Sequence, residues 1–314
     1  MTQERGGAPF PPVQPFPPVR RLGPADRRAC VALSVDRGWS PEREKWSLLL
    51  TAAEPFGVDA PDGAGLAGAV VLTRWGTGLA SVGMMLVAAR YGRRGLGRVL
   101  MERLLAEAGD ATVTLFATDL GRPLYEKLGF RPTRRNVSFA GTFRPAEHAR
   151  EPEDNSKKAA GLIRTATDAD LPAILAVDRA AFGADRGRIL SRLPGFADRI
   201  AVLESRDGPE SRDGPEPGGI TGYAAAWRNG PAVTVIGPVV APDADGAKRL
   251  IADLAGQAHG KVRLDLDPDR PEIPGWAHAH GFEPVGRTAV MARGDLPAGG
   301  APDRLFTPIS VALA

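Results

Sequence analysis

The sequence predicts a two-domain chain of the α/β (α+β) class. Three observations carry that expectation: an apolar strand, glycine loop and amphipathic helix in succession between Ala80 and Leu105; short apolar strands alternating with helical patterns along the chain; and a second pass through the same order of elements after residue 160. A length of 314 residues suits about two domains. Apolar content of 43% and charged content of 25% allow an ordinary globular core. The formal net charge of only +3, without interleaved aromatic and basic residues, argues against a nucleic-acid-binding face. Arginine outnumbers lysine, and glycine, alanine and proline are abundant, as coding from a GC-rich genome gives.

Residues 1–18 are proline-rich and read as a disordered or extended tail. Val19 to Leu22 is a first strand. Pro24 to Val35 is a helix with proline in its first turn, and Ser40-Pro41 opens a second helix through Leu50 with Ser40 as N-cap. Trp39 and Trp46 flank that helix and read as core or lid packing, with a substrate-pocket wall as the alternative. Leu66 to Trp75 and Ala80 to Ala89 form a hairpin around Gly76-Thr77-Gly78. After the glycine loop, Leu96, Leu100 and Leu104 recur every fourth residue, and Gly109 closes the helix. Strand Thr112 to Phe116, helix Gly121 to Leu128 and a strand from Gly129-Phe130 complete a domain spanning 19–146.

Residues 147–160 are polar, without pattern, and read as a linker. The second domain, 161–314, then repeats the order. It has strand Leu162 to Thr165, a capping-box pattern Thr167-Asp-Ala-Asp170, helix Leu171 to Phe182, a short helix Arg186 to Leu193 and strand Ile200 to Leu203. A hairpin of Ile220 to Arg228 and Ala232 to Val240 follows, then helix Ala247 to Ala255, strand Val262 to Leu266 and helix Pro271 to His280. The helix ends match as well: Leu128-Gly-Phe-Arg-Pro132 against His280-Gly-Phe-Glu-Pro284. This is a diverged internal duplication. Between Ser205 and Glu216 the chain reads SRDGPE twice, a surface-loop repeat.

The run Ala80 to Leu105 holds the chemistry. The first turn of a helix leaves amide N–H groups without partners and carries partial positive charge. Gly95 and Gly97 let an anion approach the backbone, with Arg90, Arg93, Arg94 and Arg98 around them. A tight turn with solvated arginines is the plain alternative. A triphosphatase loop would end in Gly-Lys-Ser/Thr, which is missing, and a dinucleotide fingerprint would need glycine where Leu100 stands.

The segment Val87-Ala-Ala-Arg-Tyr-Gly-Arg-Arg-Gly-Leu-Gly-Arg-Val-Leu100 resembles the acyl-CoA pyrophosphate loop of the GNAT superfamily of N-acetyltransferases. Leu115 to Phe130, ending Leu-Tyr-Glu-Lys-Leu-Gly-Phe, resembles that family's next strand and helix. One departure stands out: Gly92 occupies the loop's first Gln/Arg position, with Arg93 one place later. The resemblance implies two GNAT-like domains, each a mixed, mostly antiparallel twisted sheet flanked by helices. It implies acetyl-CoA as acyl donor, held by Met85, Leu86 and Val87 on the strand and by Gly92, Arg93, Arg94, Gly95, Leu96, Gly97 and Arg98 in the loop. It implies Tyr125 as the acid that protonates the departing sulfur, and an amide near Met85 or Leu86 as the group polarising the thioester carbonyl. Tyr125 read on its own is a core-packed aromatic.

The second copy departs where this chemistry sits. After Val240 it reads Ala-Pro-Asp-Ala-Asp-Gly-Ala, with Asp243 and Asp245 by the helix start and no arginine, and Ala277 stands in the place of Tyr125. Carboxylates there repel a pyrophosphate. The second domain is therefore expected to be degenerate, with a structural role or as one side of the acceptor pocket. Glu42 and Glu44 are candidate bases, with a solvated surface as the bland reading of each. His148, His259, His278 and His280 form no metal-ligand set, so no metal is expected. Cys30, the single cysteine, reads as a small core residue. No apolar run reaches membrane-spanning length, and a cytoplasmic protein is expected. The favoured function is acetyl-CoA-dependent N-acetylation of a primary amine, a small molecule, by a monomer acting as an internal pseudo-dimer or by a homodimer. The alternative is a non-catalytic acyl-CoA-binding or scaffold protein.

Overall fold

A computed structural model describes residues 15–145, 161–205 and 219–313. The linker, most of the proline-rich tail and nearly all of the SRDGPE repeat lie outside the described residues. The first half runs β1 (Arg20–Arg21), α1 (Arg27–Asp36), α2 (Arg43–Ala52), β2 (Glu54–Asp59), β3 (Leu66–Trp75), β4 (Leu79–Val87), α3 (Leu96–Ala108), β5 (Thr112–Ala117), α4 (Arg122–Lys127) and β6 (Arg131–Gly141). The second half runs β7 (Leu162–Thr165), α5 (Leu171–Phe182), α6 (Gly187–Leu190), β8 (Arg199–Glu204), β9 (Ile220–Arg228), β10 (Val233–Val240), α7 (Ala244–Ala255), β11 (Lys261–Leu266), α8 (Glu272–Ala279), β12 (Phe282–Arg293) and β13 (Leu305–Thr307).

The local differences from expectation have local causes. β2 escapes pattern reading because Pro55 and Gly57 interrupt it, yet Phe56 and Val58 are fully buried. Helix α2 starts at Arg43, after Glu42, whose backbone is left-handed (φ 43°), so Ser40 does not cap it. The Asp243 carboxylate accepts from the Gly246 amide and starts α7 three residues early.

One continuous sheet joins the halves, in the order β1-β2-β3-β4-β5-β12-β6-β11-β10-β9-β8-β7. Only β4–β5 and β10–β11 are parallel. The halves exchange their last long strands. β12 lies antiparallel against β5, pairing Ala289 with Ala117, and β6 lies antiparallel against β11, pairing Phe139 with Leu264. β6 and β12 pair with each other down the centre. The packing follows the exchange. Met291 of β12 is buried in the core that holds α3, β3 and β4, whereas Phe139 of β6 is buried in the core of α7, β10 and β11. The first core also takes in Ile174, Ala181, Ile189 and Leu190 from the second half.

α3 shows how the sequence pattern becomes packing. Its Leu96, Leu100, Met101 and Leu104 are buried against β3 and β4. A Cβ on Gly68 would meet Leu100 Cδ1 at 2.9 Å, so glycine there lets the helix close on the sheet. Cys30 is fully buried, and burial pushes its thiol up to about 12, consistent with a small core side chain.

The duplication leaves a repeated ion cluster that sequence reading passed over. In the first half Arg20 donates to Asp26 at 2.7 Å and to Asp59 at 2.8 Å, and the Gly23 amide donates to Asp26 at 2.9 Å. In the second half Arg164 donates to Asp170 at 2.7 Å and to Glu204 at 2.7 Å, and the Thr167 amide donates to Asp170 at 2.7 Å. The guanidinium holds each aspartate well below the usual carboxylate range. Such a contribution is fully present above the unfolded pKa near 4 and is lost as pH falls through the lowered folded value. Asp170→Asn should therefore destabilise by about 1 kcal/mol at pH 7. The difference from wild type should shrink toward zero in urea titrations as pH drops below 3.

Candidate active site

Strands β4 and β5 pair in parallel from Leu79↔Thr112 to Val82↔Leu115 and have no register beyond. At that point β4 carries a bulge. Two residues, Met84 and Met85, stand opposite the single Val70 of β3, and Met84 takes φ 49°. The bulge turns the backbone into the gap opened by the splayed strands. A left-handed methionine is strained, and such strain collects at functional sites.

The glycine loop lies beside it. Arg93 is left-handed at φ 60° and Gly95 at φ 79°. Among the described residues the amides of Arg93, Arg94, Gly95, Leu96 and Gly97 have no hydrogen-bond acceptor, and the first amides to find one are Arg98 and Val99, both on the Gly95 carbonyl. Five successive free N–H groups at a helix start form a ready anion cradle. No atom lies within 4 Å of a Cβ placed on Gly95, so the cradle is open on that side. Gly97 is the meeting point of the pieces: a Cβ there would lie 3.2 Å from Met85, 3.9 Å from Val87 and 3.3 Å from Leu124, the neighbour of Tyr125.

The arginines around the loop differ. Arg98 is paired to Glu102 at 2.7 Å, and Arg90 to Asp62 at 3.2 Å. Arg94 lies 5.6 Å from the Tyr91 ring centroid. Arg93 has no ion pair or hydrogen bond among the described residues, which leaves it the freest charge at the cradle. Gly92 ends the turn Ala89–Tyr91, where its amide bonds the Ala89 carbonyl. Leu86 is buried, whereas Met85 and Val87 are half-buried.

Tyr125 on α4 is 7% exposed and packs edge-on to Phe130 at 6.0 Å. Burial pushes its phenol up to about 12, so it holds its proton throughout the physiological range. It faces a cavity of about 420 Å³ together with Val82, Gly83, Met84 and Met85 of β4 and Leu115 and Phe116 of β5.

Both halves wall this cavity. From the first come Trp39, Ser40, Glu42, Lys45 and Ser138, and from the second Asn229, Arg263, Arg287, Val311 and Ala312. Trp39 is thus a pocket wall, whereas Trp46 is fully buried core, its indole donating to Ser34 at 2.8 Å. Glu42 is the acid that lines the cavity and is 8% exposed, while Glu44 lies on the outer surface. Both were candidate bases with a solvated surface as the plainer reading, which holds for Glu44 but not for the buried Glu42. The Glu-x-x-Lys spacing to Lys45, whose ammonium donates to Glu42 at 2.6 Å, was the available signal for Glu42. Nothing local in the sequence marked Asn229, Arg263, Arg287 or the Val311-Ala312 segment.

The second half has the same skeleton without the same chemistry. Its bulge places Gly237 and Pro238 opposite Ala225, so Pro238, which has no N–H, stands where β4 has Met85. The start of α7 is filled by the Asp243 carboxylate, and Ala277 is fully buried where the first half has Tyr125. β13 pairs with β10 at Val239 and Val240, past the last β10–β11 pair at Val235↔Arg263, and so occupies the splay. Among the described residues no group of His, Cys, Asp and Glu could hold a metal ion, and no helix is long and apolar enough to cross a membrane.

The sequence profiles of acetyltransferase (GNAT) domains match residues 52–143 and 174–306. The chain is a tandem member of the GNAT N-acetyltransferase family. It is 29% identical over 197 residues to an uncharacterized N-acetyltransferase of Bacillus subtilis (strain 168), YitH; the match covers 62% of this chain and 63% of that one. A Pyrococcus horikoshii protein assigned as an acetyltransferase superposes with a TM-score of 0.74 at 19% identity, over 99% of this chain and 100% of that one. A tandem GNAT protein from the clavulanic acid biosynthesis pathway superposes with a TM-score of 0.59 at 16% identity, over 89% and 99%. The expected GNAT fold, with a mostly antiparallel twisted sheet in each half, is the fold found.

The terminal segment is seated on β4 by close backbone contact. A Cβ on Gly83 would lie 1.9 Å from the Ala312 carbonyl oxygen. Gly83→Ala should dislodge that segment at a cost of about 1–3 kcal/mol. Denaturant melts and the appearance of protease cleavage beyond Thr307 would read out both effects.

Proposed function

We propose that the chain is an acetyl-CoA-dependent N-acetyltransferase that moves an acetyl group directly to a primary amine of a small molecule, with all acyl chemistry in the first half. The observation that carries this reading is the run of free amides at Arg93–Gly97, joined through Gly97 to the β4 bulge and to Tyr125 at one cavity. These residues fit a CoA thioester: an anion cradle for its diphosphate, a splayed strand pair for its extended arm, and a protonated phenol at the reacting end. Bound there, acetyl-CoA would supply the activated acetyl carbon. The bound ammonium first gives up one proton; in the transfer a bond then forms from the free amine nitrogen to that carbon, the carbon–sulfur bond breaks, a second proton leaves the nitrogen and one reaches the sulfur.

The residues divide the work. The amides of Arg93 to Gly97, with the Arg93, Arg94 and Arg98 side chains around them, hold the diphosphate. Met85, Leu86 and Val87 bind along β4, and an amide at the bulge polarises the thioester carbonyl. Tyr125, protonated at neutral pH, gives its phenolic proton to the sulfur. Glu42 is the carboxylate available to take the proton from nitrogen. Gly92, closing the turn before the cradle, leaves room for the diphosphate. The second half (161–314) does not bind acetyl-CoA, because an amide, a helix start and a splay are each blocked there; it completes the acceptor pocket. A monomer serves as its own pseudo-dimer, and a single buried cysteine suits the cytoplasm.

Titration calorimetry of acetyl-CoA should give one site per chain, lost in Gly95→Leu, whose left-handed backbone should also cost about 1 kcal/mol of stability; two sites would overturn the assignment of the second half. Tyr125→Phe should lower kcat by about 10²-fold with CoA affinity retained. In wild type, no alkaline fall in kcat from this residue is expected below about pH 11.

A further inference from the structure

The cavity is built with opposite charges left unanswered. Its lining contains one acid, Glu42, and three bases, Lys45, Arg263 and Arg287. Lys45 is taken by Glu42 at 2.6 Å, both side chains 6% exposed. Arg263 is taken by Asp265 at 2.9 Å, a buried carboxylate that also accepts from Ser138 at 2.5 Å. Arg287, on β12 opposite Val137, makes no ion pair or hydrogen bond among the described residues and is exposed. It is the uncompensated cation of the cavity.

Two acceptors are also unmet. Glu42 Oε2 and Asn229 Oδ1 are buried and have no hydrogen-bond partner. They belong to adjoining segments: a Cβ on Gly230 would lie 3.3 Å from Ser40 Cβ, and Lys45 Nζ stands 5.3 Å from the Trp227 ring centroid. Buried oxygens without donors are costly unless a ligand answers them. An ammonium has three N–H groups and no acceptor, the complement of this pair. Neither feature belongs to the diphosphate cradle, because no residue from Gly92 to Arg98 lines the cavity; of the residues assigned to the acyl donor, Met85 and Tyr125 do.

We propose that the acceptor is a small zwitterion, a primary amine that also carries a carboxylate or phosphate, with its ammonium between Glu42 and Asn229 and its anion on Arg287. This rests on the transfer reading above and adds the acceptor class to it. The site selects by leaving charged groups unpaired when either end of the ligand is missing, which discriminates more strongly than apolar contact does. A plain alkylamine would satisfy the carboxylate and leave Arg287 open. An anion without an amine would leave Glu42 Oε2 and Asn229 Oδ1 bare.

The test measures CoA release by the full chain with matched acceptors: amino acids against their amides, and phosphoethanolamine against ethanolamine. The anionic member of at least one pair should show at least a tenfold higher kcat/KM, and the pair with the larger ratio identifies the anion. In Arg287→Ala that ratio should fall toward one, in Arg287→Lys it should recover in part, and in Arg287→Glu it should invert. Calorimetry with acetyl-CoA accompanies each variant. Acetyl-CoA binding without transfer to any amine would overturn the transfer reading and the acceptor class with it. A preference for the uncharged members, or an anion preference that survives in Arg287→Ala, would overturn the acceptor class alone.

Discussion

The antiparallel pairing of β6 with β12 is the constraint on which the rest of the molecule depends. Each of these strands completes the other half's sheet, β12 against β5 and β6 against β11. An unpaired strand edge in a half-sheet is unstable and adhesive, so neither half closes without its sibling. The same exchange brings Ser138 and Arg287, from opposite halves, into one cavity lining. The cavity is therefore a property of the joined pair of halves.

Against that shared frame, the two copies differ by a few groups at the same three places. The bulge survives in both, yet a proline at 238 withdraws the amide that Met85 offers. The helix start survives in both, yet one aspartate side chain satisfies the donors that an anion would use. The splay survives in both, yet β13 fills one of them. From β13 the chain runs on to Gly83 and becomes a wall of the remaining site. A single terminal segment thus crosses both clefts.

Much of this was legible in the sequence, and what was not has a physical reason. The periodicity of α3, the glycine loop and the tyrosine helix are local patterns, and local patterns fix local elements. The difference between the copies was legible too, because Asp243 and Ala277 differ in kind from their counterparts. The strand exchange was not, since the residues of a strand do not say which neighbour it joins, and β12 was not read as a strand at all. The burial of Glu42 was hidden because the segment that packs on its neighbours, Gly230 against Ser40 and Trp227 against Lys45, lies nearly two hundred residues away in the chain. The Arg20 and Arg164 clusters were in view as an arginine followed six residues later by an aspartate, but their third members, Asp59 and Glu204, are joined to them only by the fold.

The exchange also dictates an order of events at the ribosome. Synthesis delivers β5 long before β12, and the β12-facing edge at Thr114 to Ala117 has no partner until Ala289 to Ala292 have been made. Until then the nascent chain carries an incomplete sheet whose missing strand has yet to be made. Completion of the first half's sheet is thereby deferred to a strand of the second half.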